Sequence, residues 1–256
     1  MATMDIKRLG NSEGFPIVAL HGIQGTNDSW TPLATALGDT FFFILPNMPG
    51  RGDALVPLSP TACSASEFAR ITSEVIEEEV GHRAYVLAGW SMGVSVIFEL
   101  LRDLAHGGAR HPLPVAVVLM SGTAQLNEVS WFEATDEAAL LTEIRQREAR
   151  LKLKQAAAPH VVAWTWQALK PLSHLPNLAH ISLPVLIVHG SEDEDCPIEH
   201  AQRMREGIRH ATLRVISGGR HSILTENFRE VGATMREFLA PYCGQPRPQL
   251  NLPENS

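Results

Sequence analysis

Short apolar runs recur along the chain, each closed by a cluster of turn-forming residues. Pro16-Ile17-Val18-Ala19-Leu20, Phe41-Phe42-Phe43-Ile44-Leu45, Ala84-Tyr85-Val86-Leu87-Ala88 and the runs 115–120 and 184–190 show no polar alternation. Uninterrupted runs of this length predict strands covered on both faces. Residues 6–9 and 213–216 are shorter candidates for the same sheet. Between the runs, apolar residues at helical spacing predict helices beginning near Thr31, Glu67, Met92, Glu199 and Asn227. Ser64 with Glu67 has the form of a capping box, Phe68, Ile71, Val75 and Ile76 continue its apolar face, and Gly81 should end that helix. Alternation of strand and helix predicts an α/β fold, a doubly wound and mostly parallel sheet.

The alternation is broken between about residues 125 and 175. Thr135 or Asp136 can cap a long helix carrying Leu140, Leu141, Ile144 and Leu151, and a second helical piece holds Val161, Val162, Trp164, Trp166 and Leu169. The expected organisation is therefore a core of residues 1–124 and 176–240, a short helical lid at 125–175, and a loose tail rich in Pro, Gln and Asn at 241–256. Trp131, Trp164 and Trp166 lie in the insertion, either to wall an apolar acyl pocket or to pack the insert on the body.

Composition narrows the function. A 256-residue chain that is 45% hydrophobic can build one sizeable buried core, and its formal charge of -7 argues against a nucleic-acid binder. No apolar run is long enough to span a bilayer and the first residues lack the apolar stretch of a secretory signal, so no membrane and a cytoplasmic location are expected. Cys63, Cys196 and Cys243 form no close pair, and the histidines fall in no metal-ligand spacing, so neither a disulfide framework nor a metal is expected. Against the acidic background, residues 143–154 carry five basic and two acidic side chains, among them Arg145, Arg147 and Arg150. That run is either a solvated helix face with Glu-to-Arg pairs or a surface that steers an acidic partner such as an acyl carrier protein.

The candidate chemistry centres on Gly89-Trp90-Ser91-Met92-Gly93, placed where a strand gives way to a helix. Serine between glycines at this corner fits a nucleophile elbow: the hydroxyl is lifted off its own backbone, and the glycines leave room where strand and helix nearly touch. Met92 N–H, at the helix start, is one candidate oxyanion donor, and Ile23 N–H, in the turn His21-Gly22-Ile23-Gln24-Gly25-Thr26 after a strand, is the second. A serine hydroxyl needs a base, and the base an acid to orient it. His221, beside Gly218 and Gly219 after the last strand, supplies the base. Asp193 is preferred as the acid by its three-residue offset from Gly190, with Glu192 and Asp195 as rivals in the same loop. The order Ser91, Asp193, His221 separates the three by 102 and then 28 residues.

These motifs, with the Pro49-Gly50-Arg51-Gly52 loop, occur in the order seen in α/β-hydrolases, which the chain resembles from Ile17 to about Leu239. Through Trp90 and the compact insertion it looks most like the carboxylesterases that demethylate pimeloyl acyl-carrier-protein methyl ester in biotin synthesis. It departs from many relatives in Val94, where a further glycine is frequent, and in Asn47, where an aspartate is usual. The resemblance implies Ser91, Asp193 and His221 as a triad, Ile23 and Met92 as oxyanion donors, and Trp90 beside the substrate. It also implies hydrolysis of a small-molecule acyl ester or thioester, with no cofactor and with an acyl carrier protein as a partner at the basic lid face. The alternatives are a same-fold lyase or C–C hydrolase similar to the menaquinone-pathway synthase, and a slow-turnover binding protein. The synthase's elbow is followed by Gly and Arg, whereas Val94 and Ser95 stand here.

Overall fold

The structure, a computed structural model, describes residues 4–107 and 111–243. Seven strands form one sheet: β1 (Ile6–Gly10), β2 (Phe15–Leu20), β3 (Phe41–Pro46), β4 (Val86–Trp90), β5 (Ala116–Met120), β6 (Val185–Gly190) and β7 (Ala211–Ile216), in the spatial order β1-β3-β2-β4-β5-β6-β7. Only the edge strand β1 runs antiparallel, pairing Arg8 with Ile44; β2 to β7 are parallel. Parallel strands share one carboxyl edge, which brings together the loops after β2, β4, β6 and β7 that carry the candidate residues.

The runs without alternation are buried on both faces, as their composition requires. Val18, Ile44, Leu87, Val117 and Ile187 pack on the side of α2 (Ala65–Val75), α3 (Met92–Ala105) and α6 (Ile198–Gly207). Ile17, Phe43, Val86, Val118 and Leu186 pack on the side of α1 (Thr31–Leu37) and α8 (Phe228–Cys243), where the short α7 (Ile223–Glu226) also lies. Every residue from Met92 to Leu101 of α3 is buried, so this helix is locked against the sheet that positions its N-terminus.

Ser64 caps α2 by accepting the Glu67 N–H at 3.1 Å. The reciprocal half of the expected capping box is absent, because the Glu67 carboxylate pairs with Arg70 instead. The helix runs on as a π turn to Val80 and stops at Gly81, whose φ of 64° suits glycine. Between β5 and β6 the chain forms α4 (Glu137–Arg150) and α5 (Pro159–Leu169). Asp136, not Thr135, caps α4 through Ala139 N–H at 3.0 Å. The expectation of a loose segment from residue 241 is corrected in part, since Pro241 to Cys243 complete α8; residues 244–256 lie outside the described residues.

Candidate active site

Ser91 has φ 56° and ψ −117°, a positive-φ conformation costly for a residue with a side chain. Its backbone is held by Met120 O, which accepts the Ser91 N–H at 2.9 Å. A Cβ at Gly89 would lie 2.7 Å from the Gly93 backbone, and one at Gly93 would lie 2.5 Å from Leu20 O, so both glycines are demanded by contact. Val94 fits because Gly122 faces it without a side chain: a Cβ there would lie 2.4 Å from Val94 Cγ2.

Ser91 Oγ lies 3.0 Å from His221 Nε2, and His221 Nδ1 lies 2.9 and 3.1 Å from the two carboxylate oxygens of Asp193. A carboxylate can only accept, so Nδ1 carries the proton and Nε2 is free to accept from the serine. All three side chains are buried. Trp90 fixes the histidine from below: its indole N–H donates to His221 O at 3.0 Å and its ring stands 5.5 Å from the imidazole. Burial opposes the charge on Asp193, but His221, His189 and the Cys196 N–H outweigh it and hold the carboxyl below its ordinary range.

Met92 is the first residue of α3, so its N–H is one of the donors that helix geometry leaves without an intrahelical acceptor. Across the site the loop after β2 is clamped at several points. His21 Nε2 accepts the Met48 N–H at 3.0 Å while Nδ1 donates to Gly22 O at 2.8 Å. Burial, with the charge of Arg51, pushes His21 down to about 3. The wholly buried Arg51 donates to Ile23 O at 2.8 Å, to Thr165 Oγ1 at 3.0 Å and to Pro49 O at 2.9 Å. Burial lowers this guanidinium to about 10. Asn47, the departure from aspartate, has a local cause: its amide donates to Asp5 Oδ2 at 2.7 Å, where a second carboxylate would be repelled.

The insertion closes the site from above. A cavity of about 10 Å³ is walled by Ile23, Trp90, Ser91 and His221 from the core and by Arg147, Leu151 and Leu153 from the insertion. Trp131, Trp164 and Trp166 do not line it, which favours the packing alternative over the acyl pocket. Trp131 and Trp166 stack at 5.5 Å and donate to Asp195 O and Phe132 O, while Trp164 packs edge-on against His160. A wider groove of about 750 Å³, bordered by Asn47, Leu55, Ile71 and Glu74, has neither Ser91 nor His221 in its wall.

The expected basic face is corrected too. Arg147 is buried, donating to Asp195 from Nε and Nη2 at 3.3 and 3.0 Å and to Gln24 Oε1 from Nη1 at 2.7 Å. Arg150 pairs with Glu194 at 2.7 Å and Asp195 at 2.6 Å. Of the three arginines only Arg145 has no carboxylate partner among the described residues, and its Nη1 bonds Leu141 O at 3.4 Å. Asp195 thus serves the insertion. Burial opposes its charge, yet His221, Arg147 and Arg150 lower it to about 2. Its Oδ2 stands 3.9 Å from His221 Nε2.

Sequence reasoning missed Gln24, Arg51 and the inward turn of Arg147. Gln24 Nε2 donates to Ile144 O at 2.8 Å, so it links the loop after β2 directly to α4. The available signal for Arg147 was its spacing: it lies three residues after Ile144, on the buried side of α4.

Among the described residues no helix is long and apolar enough to cross a membrane, and no group of three His, Cys, Asp or Glu is arranged to hold a metal ion. Chemically, the arrangement can deprotonate a serine and stabilise the imidazolium that forms. The profile of the alpha/beta hydrolase family matches residues 17–234. Protein ABHD8 of Homo sapiens is 33% identical over 92% of this chain and 57% of its own length, and the chain spans under three fifths of that relative. A 2-succinyl-6-hydroxy-2,4-cyclohexadiene-1-carboxylate synthase of Yersinia pestis is 32% identical over 36% of this chain and 32% of its own. Among solved structures, the esterase EaEST of Exiguobacterium antarcticum superposes with a TM-score of 0.75 at 21% identity, covering 94% of this chain and 96% of its own. With the sheet order, the elbow and the profile in agreement, the chain belongs to the alpha/beta hydrolase family.

Proposed function

We propose that the chain is a serine hydrolase that cleaves a carboxylic ester or thioester through an acyl-enzyme, with Ser91, His221 and Asp193 as its triad. The observation that carries this reading is the continuous path Ser91 Oγ to His221 Nε2 to Asp193, at 3.0 and 2.9 Å, beside a helix N-terminus. His221 takes the Ser91 proton as Oγ attacks the carbonyl carbon, and Asp193 stabilises the imidazolium. Ile23 and Met92 N–H receive the oxyanion, a contribution of about 3 kcal/mol for one donor in comparable sites. His221 then protonates the leaving group and activates water. Residues 125–175 act as the lid, and Leu151 and Leu153 withdraw to admit substrate.

The resemblance implies a carrier-linked methyl ester as the finer substrate. Two of its three docking arginines, Arg147 and Arg150, are paired with Asp195 and Glu194, which favours a free small-molecule ester. A reducing, cytoplasmic setting suits three free cysteines, two of them buried. The second reading, a lyase, draws on the Yersinia similarity. Loss of the arginine after the elbow, with Val94 and Ser95 in its place, disfavours it.

The test is covalent labelling with a fluorophosphonate and turnover of short-chain p-nitrophenyl esters, both abolished in Ser91→Ala. Labelling without ester turnover would favour the lyase, and absence of both would favour a binding protein.

A further inference from the structure

Resting on the hydrolase reading, we propose that Arg147 selects the substrate by binding a carboxylate, so that the preferred esters are half-esters of dicarboxylic acids. Among the described residues lining the cavity at Ser91, Arg147 is the one Lys, Arg, Asp or Glu. The remaining wall is largely apolar or glycine, so once the linker carrying Leu151 and Leu153 moves aside, the residues around Ser91 suit an aliphatic ester that carries one negative charge. A guanidinium has five N–H groups. The bonds to Asp195 and Gln24 use three of them, which leaves two on a side chain that is 5% exposed and borders the reacting hydroxyl.

The supporting contacts make this a fixed reader. Gln24 follows Ile23 and Asp195 lies two residues after Asp193, so Arg147 is braced against both the oxyanion loop and the acid loop. Asp195 stays paired through Arg150 when Arg147 shares its charge with a substrate. The aromatic faces of Trp131 and Phe132, 5.6 and 5.7 Å from the guanidinium carbon, hold it in place. A neutral ester would leave the two remaining N–H groups without an acceptor in a closed site, and such sites discriminate strongly against substrates lacking the polar group. Entry needs motion of the linker after α4, where Lys152, between Leu151 and Leu153, has φ 51°, a conformation uncommon for a residue other than glycine.

The experiment compares kcat/KM for monomethyl esters of dicarboxylic acids, succinate to suberate, with methyl alkanoates of equal length. Expected is a preference of at least about tenfold for one half-ester in the series, changing little with salt because the pair is buried. It should fall to about one in Arg147→Met, persist in part in Arg147→Lys, and be unchanged in Arg145→Met. Fluorophosphonate labelling of Ser91 in each variant reports whether the site is assembled. If Arg147→Met fails to fold, inhibition of the wild-type enzyme by the matching dicarboxylates, absent with the alkanoates, decides in its place. Equal rates on both series, or a preference that survives Arg147→Met, overturns the proposal and leaves the hydrolase reading standing. No turnover of either series while p-nitrophenyl esters are still cleaved overturns the proposal alone, and loss of that cleavage as well overturns both.

Discussion

Asp193 Oδ1 lies 2.9 Å from His221 Nδ1 and also accepts the backbone N–H groups of Asp195 and Cys196 at 3.1 and 2.9 Å. Three donors converge on one oxygen, so the orientation of the carboxylate is fixed. Asp195, two residues on, faces Arg147 and Arg150 instead. The two acids should therefore fail differently. Asp193→Asn is expected to lower kcat on the order of 10⁴-fold by stabilising the wrong tautomer, with little loss of stability. Asp195→Asn leaves a buried guanidinium without its counter-charge and should cost about 3 kcal/mol. Steady-state kinetics set beside urea unfolding separate the two, and equal kinetic losses would contradict the assignment.

His21 accepts at Nε2 from Met48 and donates at Nδ1 to Gly22 O, a pattern that only the neutral ring can satisfy. Its folded-state value, about 3, lies below the ordinary 6.5, so the unfolded chain takes the proton first as pH falls. Stability is then full above about pH 6.5 and is lost progressively toward pH 3, on the order of a few kcal/mol by pH 4. Asp195, lowered to about 2, adds a further loss between about pH 4 and 2. Urea midpoints across this range should show the slope, and His21→Gln should flatten it between pH 6.5 and 4.

Ser64 and Asp136 each satisfy a backbone donor at the start of a helix. Replacing either with alanine should cost about 1 kcal/mol. Thr135→Ala, at an exposed position beside the cap, should stay within about 0.5 kcal/mol. Thermal or urea denaturation of the three variants checks the cap assignment, which a large effect at Thr135 would reverse.

Val94 occupies the space that Gly122 leaves open. Gly122→Ala is expected to destabilise by about 1–3 kcal/mol through overpacking. In the double variant Val94→Ala with Gly122→Ala, part of that loss should return, and the cycle should show coupling of at least about 0.5 kcal/mol. Additive losses would place the cause elsewhere.

Much of this molecule is written in local patterns. A run such as Val86 to Trp90 has one stable solution, a strand covered on both sides, because it offers no polar face to water. The glycines at 89 and 93 announce a corner tight enough that a Cβ would strike backbone. The order of Ser91, Asp193 and His221 followed from loops that a parallel sheet must place on one edge.

The roles of charged side chains were not legible in the same way. Arg145, Arg147 and Arg150 read as one basic stretch, yet they separate into an exposed, a buried and a half-exposed group. What divides them is the rotation of α4 over the loops at Gln24 and Asp195, partners 123 and 48 residues away. Tryptophans 131 and 166 likewise pack on one another because the insertion must bury its own apolar surface. Backbone corners and covered strands obey short-range sterics and hydrophobicity, which a sequence carries within a few residues. The partner of a guanidinium depends on which distant carboxylate the packed chain brings within 3 Å, and packing alone decides that.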